Sequence, residues 1–79
     1  MGKACDKTVE KLIEFQNKAW CYRSEFKADK LLNDLQNDIP EHSYKEICQW
    51  WDWVKRDGWN LAQKYGLEKA IKDAISALI

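Results

Sequence analysis

The sequence predicts a small all-α bundle, and three observations carry that prediction. Nothing between Ala4 and Ile39 breaks a helix: the three glycines are Gly2, Gly58 and Gly66, and the one proline is Pro40. Ser43 and Glu46 form an S-x-x-E signature just before an apolar periodic segment, the pattern of a helix N-terminus. Gly66 stands where an amphipathic stripe ends, a natural place for a residue that closes a helix.

The first helix is expected over about 6–38. Asp6 or Thr8 can cap it, with Glu10 in its first turn. Pro40 disfavours the α region at Ile39, so the helix should stop near Asn37 or Asp38. Such a helix is roughly 45 Å long at 1.5 Å per residue. It carries two apolar stripes. One runs Val9, Ile13, Trp20, Ala28, Leu31, Leu35, with Gln16 and Ser24 interrupting it. The other runs Leu12, Phe15, Ala19, Tyr22, Phe26, the three-and-four spacing of a helix–helix seam. On a straight helix the stripes lie about 100–160° apart. A spine of this kind needs cover from two sides.

A second helix is expected over about 44–65, opened by the Ser43/Glu46 capping box. Its apolar stripe is Tyr44, Ile47, Cys48, Trp51, Val54, Gly58, Leu61, Ala62, Tyr65. The stripe keeps phase through Gly58, which argues for one helix with a close backbone approach there. The alternative is a turn at Asp57-Gly58. Gly66 then serves as the C′ residue and Leu67 as its apolar cap contact. A short third helix follows over about 67–78. Glu14–Lys18, Asp52–Arg56 and Glu68–Lys72 are helical charge pairs with the acid first, each worth about 0.2–0.5 kcal/mol.

At 79 residues the chain reads as one domain, 1–79. A core this small rarely supplies more than about 3–5 kcal/mol without dense packing or a staple. The three cysteines, Cys5, Cys21 and Cys48, are an odd number without CxxC spacing, so they do not read as a disulfide framework. The ten aromatic rings, five of them Trp, are the stronger resource, because each can bury about 150–250 Å². Charge is balanced at 13 basic and 13 acidic residues. Residues 1–39 carry seven of each sign and 40–79 six of each. No basic half offers itself to a phosphate backbone or an anionic membrane. No apolar run reaches the roughly 20 residues of a membrane span, and no signal-peptide h-region is visible. Met1-Gly2 opens like a myristoylation site, but Asp6 replaces the Ser or Thr that site requires. The cytoplasm is the expected compartment.

No constellation points to catalysis, a metal or a cofactor, and the expectation is none of the three. His42, the single histidine, lies in a loop, while Cys48 should face the core. The cysteines are too far apart along the chain to share a metal, and no Glu-x-x-His pair is present. Leu61-Ala62-Gln63-Lys64-Tyr65-Gly66-Leu67 looks locally like the first helix and turn of a helix-turn-helix. Lys72 falls where that motif wants an apolar residue, and only Lys69 and Lys72 are basic on the reading helix.

The aromatic residues carry the functional expectation. Trp50, Trp51, Trp53 and Trp59 cannot all point the same way; with Trp51 in the core, Trp53 falls about 160° away on the polar face. Trp and Tyr are enriched at binding hot spots. Trp50, Trp53, Phe15, Tyr22 and Phe26 are therefore the candidate partner-binding residues. The alternative is that another helix of the same chain covers Trp53.

The sequence thus reads as a non-enzymatic protein–protein interaction module, a small adaptor, regulator or inhibitor of the size class common among phage and mobile elements. A short third helix cannot cover a long spine, so a homo-oligomer is expected, most simply a dimer through the Leu12/Phe15/Tyr22/Phe26 seam. The alternatives are a helix-turn-helix-like DNA-binding regulator, and a small-ligand or nucleotide-binding bundle that stacks its ligand on tryptophan.

Overall fold

The chain's computed structural model describes residues 3–21, 25–58 and 60–78, with the backbone alone at 3–6, 25 and 26. Among the described residues there are four helices and no strand: α1 (Lys3–Ala19), α2 (Glu25–Asp34), α3 (Glu41–Asp57) and α4 (Leu61–Leu78). The all-α class is the one expected; the helix count and bounds are not.

The single long first helix does not form. It is two helices, α1 and α2, and the molecule's longest dimension, 37 Å, is shorter than that helix would have been. The physical reason lies in the two stripes. In α1 the buried residues are Thr8, Leu12, Phe15 and Ala19; in α2 they are Ala28 and Leu32, with Leu35 just past its end. Ala19 and Ala28 are nine residues apart, which on a straight helix puts them about 180° from each other. One core cannot receive both seams from one rod. The chain turns instead, and α2 folds back on α1. At the turn, Trp20 N–H still bonds Gln16 C=O at 3.2 Å, while Cys21 N–H reaches only back to Lys18 C=O at 3.0 Å, a tightened final turn. The end of α2 tightens in the same way: Leu35 N–H is shared between the carbonyls of Leu31 and Leu32, and Asp38 N–H bonds Leu35 C=O.

The Ser43 capping box does not open α3. The helix starts at Glu41, with Pro40 at the N-cap (φ −56°, ψ 140°) and no side-chain cap. Proline's fixed φ suits that position, and the Pro40 carbonyl accepts the Tyr44 N–H at 3.0 Å. Ser43 therefore lies inside the first turn. Glu41–Lys45 at 3.2 Å and His42–Glu46 at 4.0 Å lie along that turn.

The helix expected to run through Gly58 breaks there, as the Asp57-Gly58 alternative held. Gly58 has φ 78° and ψ −178° and donates its N–H to Val54 C=O at 2.8 Å. Asn60 then caps α4: its Oδ1 accepts the Gln63 backbone N–H at 3.0 Å, the N-cap geometry. The break resets the apolar phase. Ile47, Trp51 and Val54 stay buried, but Leu61 and Tyr65, placed by the sequence on the same core stripe, are exposed; α4 buries Gln63, Leu67, Ala70, Ile71 and Ala74 instead.

Gly66 is no C′ residue either. It lies inside α4, where a Cβ would overlap the six-membered ring of Trp50. α4 is continuous across Gly66, so the turn that the helix-turn-helix alternative required there is not formed.

α3 packs along α4, and α1 packs on α2 and α4. Trp51 of α3 joins the layers. Its ring meets Phe15 of α1 edge-on, with centroids 5.5 Å apart at 77°. Its indole N–H donates to Asp29 Oδ1 of α2 at 2.6 Å, and Lys55 Nζ donates to the same oxygen at 3.1 Å. Of the three predicted charge pairs, Glu14–Lys18 forms at 3.7 Å. Asp52 meets Lys55 at 3.8 Å rather than Arg56, and Lys69–Asp73 pairs at 3.3 Å on α4.

Candidate partner-binding face

Phe15 is fully buried in the core, so it does not belong to a surface of this chain. Leu12 beside it is equally closed. The Leu12/Phe15 half of the seam expected to mediate a dimer is thus closed within the monomer, with Phe15 packed on Trp51 of α3. The side chains of Tyr22 and Phe26 lie outside the described residues, as does Trp59.

Trp50 and Trp53 touch each other. Their rings meet edge to face, with centroids 4.7 Å apart at 86°, and both are half-buried. Trp50 packs against the core and lies on the bare backbone of Gly66. The α3–α4 packing therefore accounts for most of the aromatic surplus near residue 50.

The open apolar surface is elsewhere. The exposed large apolar side chains among the described residues are Ile13 at 46%, Tyr65 at 61% and Leu61 at 66%. They come from α1 and α4, which run antiparallel here, with Trp20 beside Lys64 and Gln16 beside Tyr65 and Glu68. Along α1 and just past its end, Val9, Ile13, Gln16 and Trp20 make up the first half of the other stripe, of which Trp20 packs against the core. On α4 the line Leu61, Tyr65, Glu68, Lys72, Ile75 follows helical spacing beside the buried seam. Two shallow clefts lie between the helices. One is lined by Trp20, Asn60, Leu61 and Lys64, the other by Gln16, Tyr65, Glu68, Lys69, Lys72 and Ile75.

Charges of both signs lie among the apolar side chains of this face, and Lys69 is paired with Asp73 at 3.3 Å. Lys64 Nζ lies 5.7 Å from the centroid of the Trp20 ring, within cation–π range. Lys69 and Lys72 line the second cleft, with Glu68 the one carboxylate among the residues that line either cleft. The sequence contained a signal for this face that the continuous-helix reading hid: a break at Gly58 followed by Asn60 as a cap rotates Leu61 and Tyr65 out of the core.

His42 and Cys48 are not brought together. The His42 side chain is 92% exposed and faces Glu46. Cys48 is half-buried beside Tyr44, one turn earlier. Burial pushes the Cys48 thiol above its ordinary pKa, and Asp52 adds to the shift. The Tyr44 hydroxyl bonded to the sulfur and the Lys55 ammonium oppose it. Burial likewise raises Tyr44, with Cys48 adding to it. No group of three or more His, Cys, Asp or Glu among the described residues could hold a metal ion, and no described helix is long and apolar enough to cross a membrane. Compared with protein-family models, with curated proteins and with solved structures, the chain finds no match.

Proposed function

We propose that this chain is a non-enzymatic protein-binding module, an adaptor, regulator or inhibitor, that engages its partner through the α1–α4 face. One observation supports the reading: Leu61 and Tyr65, two open large apolar side chains of α4, border clefts that Trp20 and Gln16 line from the α1 side. In a chain this small, each apolar side chain left in water forgoes about 1.5–3 kcal/mol of burial. Two on one helix face, one of them beside Trp20 and both among charged side chains, fit an interaction surface better than scattered exposure. Trp and Tyr at its centre are the residue types that dominate binding energy.

The test is capture of a partner from an extract of the source cells, with the chain immobilised as wild type and as Leu61→Ser/Tyr65→Ser. Both changes are at exposed positions, so the helical circular dichroism should not change. The expected result is a protein retained by the wild type and lost by the variant. Equal retention by both removes the face from the proposal.

A further inference from the structure

The one Asp–Gly or Asn–Gly step in the sequence is Asp57–Gly58, and it lies where α3 ends and the chain turns into α4. Such a step carries a chemistry of its own. The glycine nitrogen can attack the aspartate Cγ and close a five-membered imide, because glycine has no Cβ to hinder the approach. Hydrolysis of the imide then yields an isoaspartyl linkage, in which the backbone runs through the former side-chain carboxyl.

The fold holds both reacting groups. Asp57 is the last residue of α3, and ring closure needs its ψ to leave the helical range. The nucleophile is engaged, since Gly58 N–H donates to Val54 C=O at 2.8 Å. That bond has to open before the nitrogen can attack. The electrophile is engaged as well. Asp57 is exposed, yet its Oδ2 accepts from Gln63 Nε2 of α4 at 3.3 Å. Gln63 is poorly placed for stability. It is 9% exposed on the buried side of α4, and its Oε1 has no hydrogen-bond partner among the described residues. A buried amide with an unpaired acceptor costs stability. What this amide secures is the carboxylate across the α3–α4 joint.

We propose that Asp57 is a site of isoaspartyl modification gated by the α3–α4 joint, with Gln63 the positioning residue that keeps the gate closed. The reaction balances with water alone. The Gly58 nitrogen bonds to Asp57 Cγ and loses its proton, and one carboxyl oxygen leaves as water. Water then adds to one of the two imide carbonyls. Cleavage of the new N–Cγ bond restores aspartate. Cleavage of the original peptide bond gives isoaspartate, with the mass of the starting chain. The main chain is then one carbon longer between Asp57 Cα and the Gly58 nitrogen, so the Gly58–Val54 bond and the Asp57–Gln63 contact do not re-form together. The α1–α4 face has no part in this inference.

The test incubates the full chain in warm, mildly acidic buffer and follows the tryptic peptide 57–64, released after Arg56 and Lys64. The isoaspartyl form separates by chromatography at equal mass, and electron-transfer fragmentation identifies it. Wild type is compared folded and in urea, and against folded Gln63→Met and Gln63→Asn, the second of which keeps an amide but shortens its reach. Asp29→Ala, which loosens the bundle at the α2–α3 contact away from the joint, controls for stability alone. The expected result is slow isomerisation of the folded wild type and fast isomerisation in urea. Both Gln63 variants isomerise about tenfold faster than the folded wild type, the scale of one hydrogen bond to a charged group. Asp29→Ala stays near the wild-type rate. Equal rates for wild type folded and in urea overturn the gate. Gln63 variants that keep the helical circular dichroism and the wild-type rate overturn the role of Gln63. An equal acceleration in Asp29→Ala overturns it too, by assigning the effect to global opening.

Discussion

The ring of Trp50 fills the space in which residue 66 would carry a Cβ. The atoms in the way, Cδ2, Cε2 and Cε3, belong to the rigid six-membered ring and include both atoms of the ring fusion. Gly66→Ala therefore sets two effects against each other. Alanine favours the helix interior by about 1 kcal/mol. Overpacking against a ring that is itself held by the core costs about 1–3 kcal/mol. The ring is tied to Trp53 and the core and cannot swing away cheaply, so the expected net is a loss of up to about 2 kcal/mol, read as a lower urea midpoint. In a Trp50→Leu background the same change should cost nothing or stabilise. A raised midpoint in the otherwise wild-type chain would contradict the contact.

How far the sequence carried depends on which physics acted locally. Helix type was legible from periodicity, and so was the α1 seam of Leu12, Phe15 and Ala19. The break after Ala19 was not, because no Gly or Pro marks it; it follows from the mismatch between two seams that only a folded core resolves. Ser43 had the right neighbour in Glu46, but Pro40 three residues earlier already started the helix. At Gly58 two physical readings competed, in-phase apolar spacing against positive φ, and the backbone preference won. The open face on α4 was hidden by that one choice, since Leu61 and Tyr65 leave the core only when the phase is reset.

Gly58 should accordingly resist substitution more than any exposed position. Its φ of 78° with ψ of −178° lies in a region that is essentially glycine's alone, and a side chain there costs about 1–3 kcal/mol. Gly58→Ala is expected to lower stability by that amount in urea denaturation. A loss below about 0.5 kcal/mol, the scale of an ordinary surface change, would mean that the chain continues as helix through residue 58.

Asp29 holds α3 to α2 through two donors, the Trp51 indole at 2.6 Å and Lys55 at 3.1 Å. Asp29→Ala leaves the indole N–H of a nearly buried ring without its acceptor and is expected to cost about 1–3 kcal/mol. Asp29→Asn keeps an acceptor oxygen and should cost less. Trp51→Phe retains an aromatic ring against Phe15 and removes the donor. A double-mutant cycle between Asp29→Ala and Trp51→Phe should therefore show a coupling of about 0.5–3 kcal/mol. Additive effects of the two changes would show that the hydrogen bond contributes nothing to stability.

The Tyr44–Cys48 pair predicts how stability responds to alkali. Both groups have their proton affinity raised by folding, Cys48 from an ordinary 9.0 and Tyr44 from an ordinary 10.0, with burial the first cause for each. As pH climbs, the unfolded chain releases these protons first, so ionisation favours unfolding. The contribution is fully present below about pH 9, the ordinary thiol value, and is lost as pH rises through the raised folded values. Urea midpoints measured at about pH 8 and about pH 10.5 should differ more for the wild type than for Cys48→Ala or Tyr44→Phe, each of which removes one titrating group. The thiolate is the reactive form, so Cys48 should also alkylate more slowly at about pH 8 in the folded chain than in urea. Equal rates in the two states, or a pH difference unchanged in both variants, would show that neither group titrates differently in the folded protein.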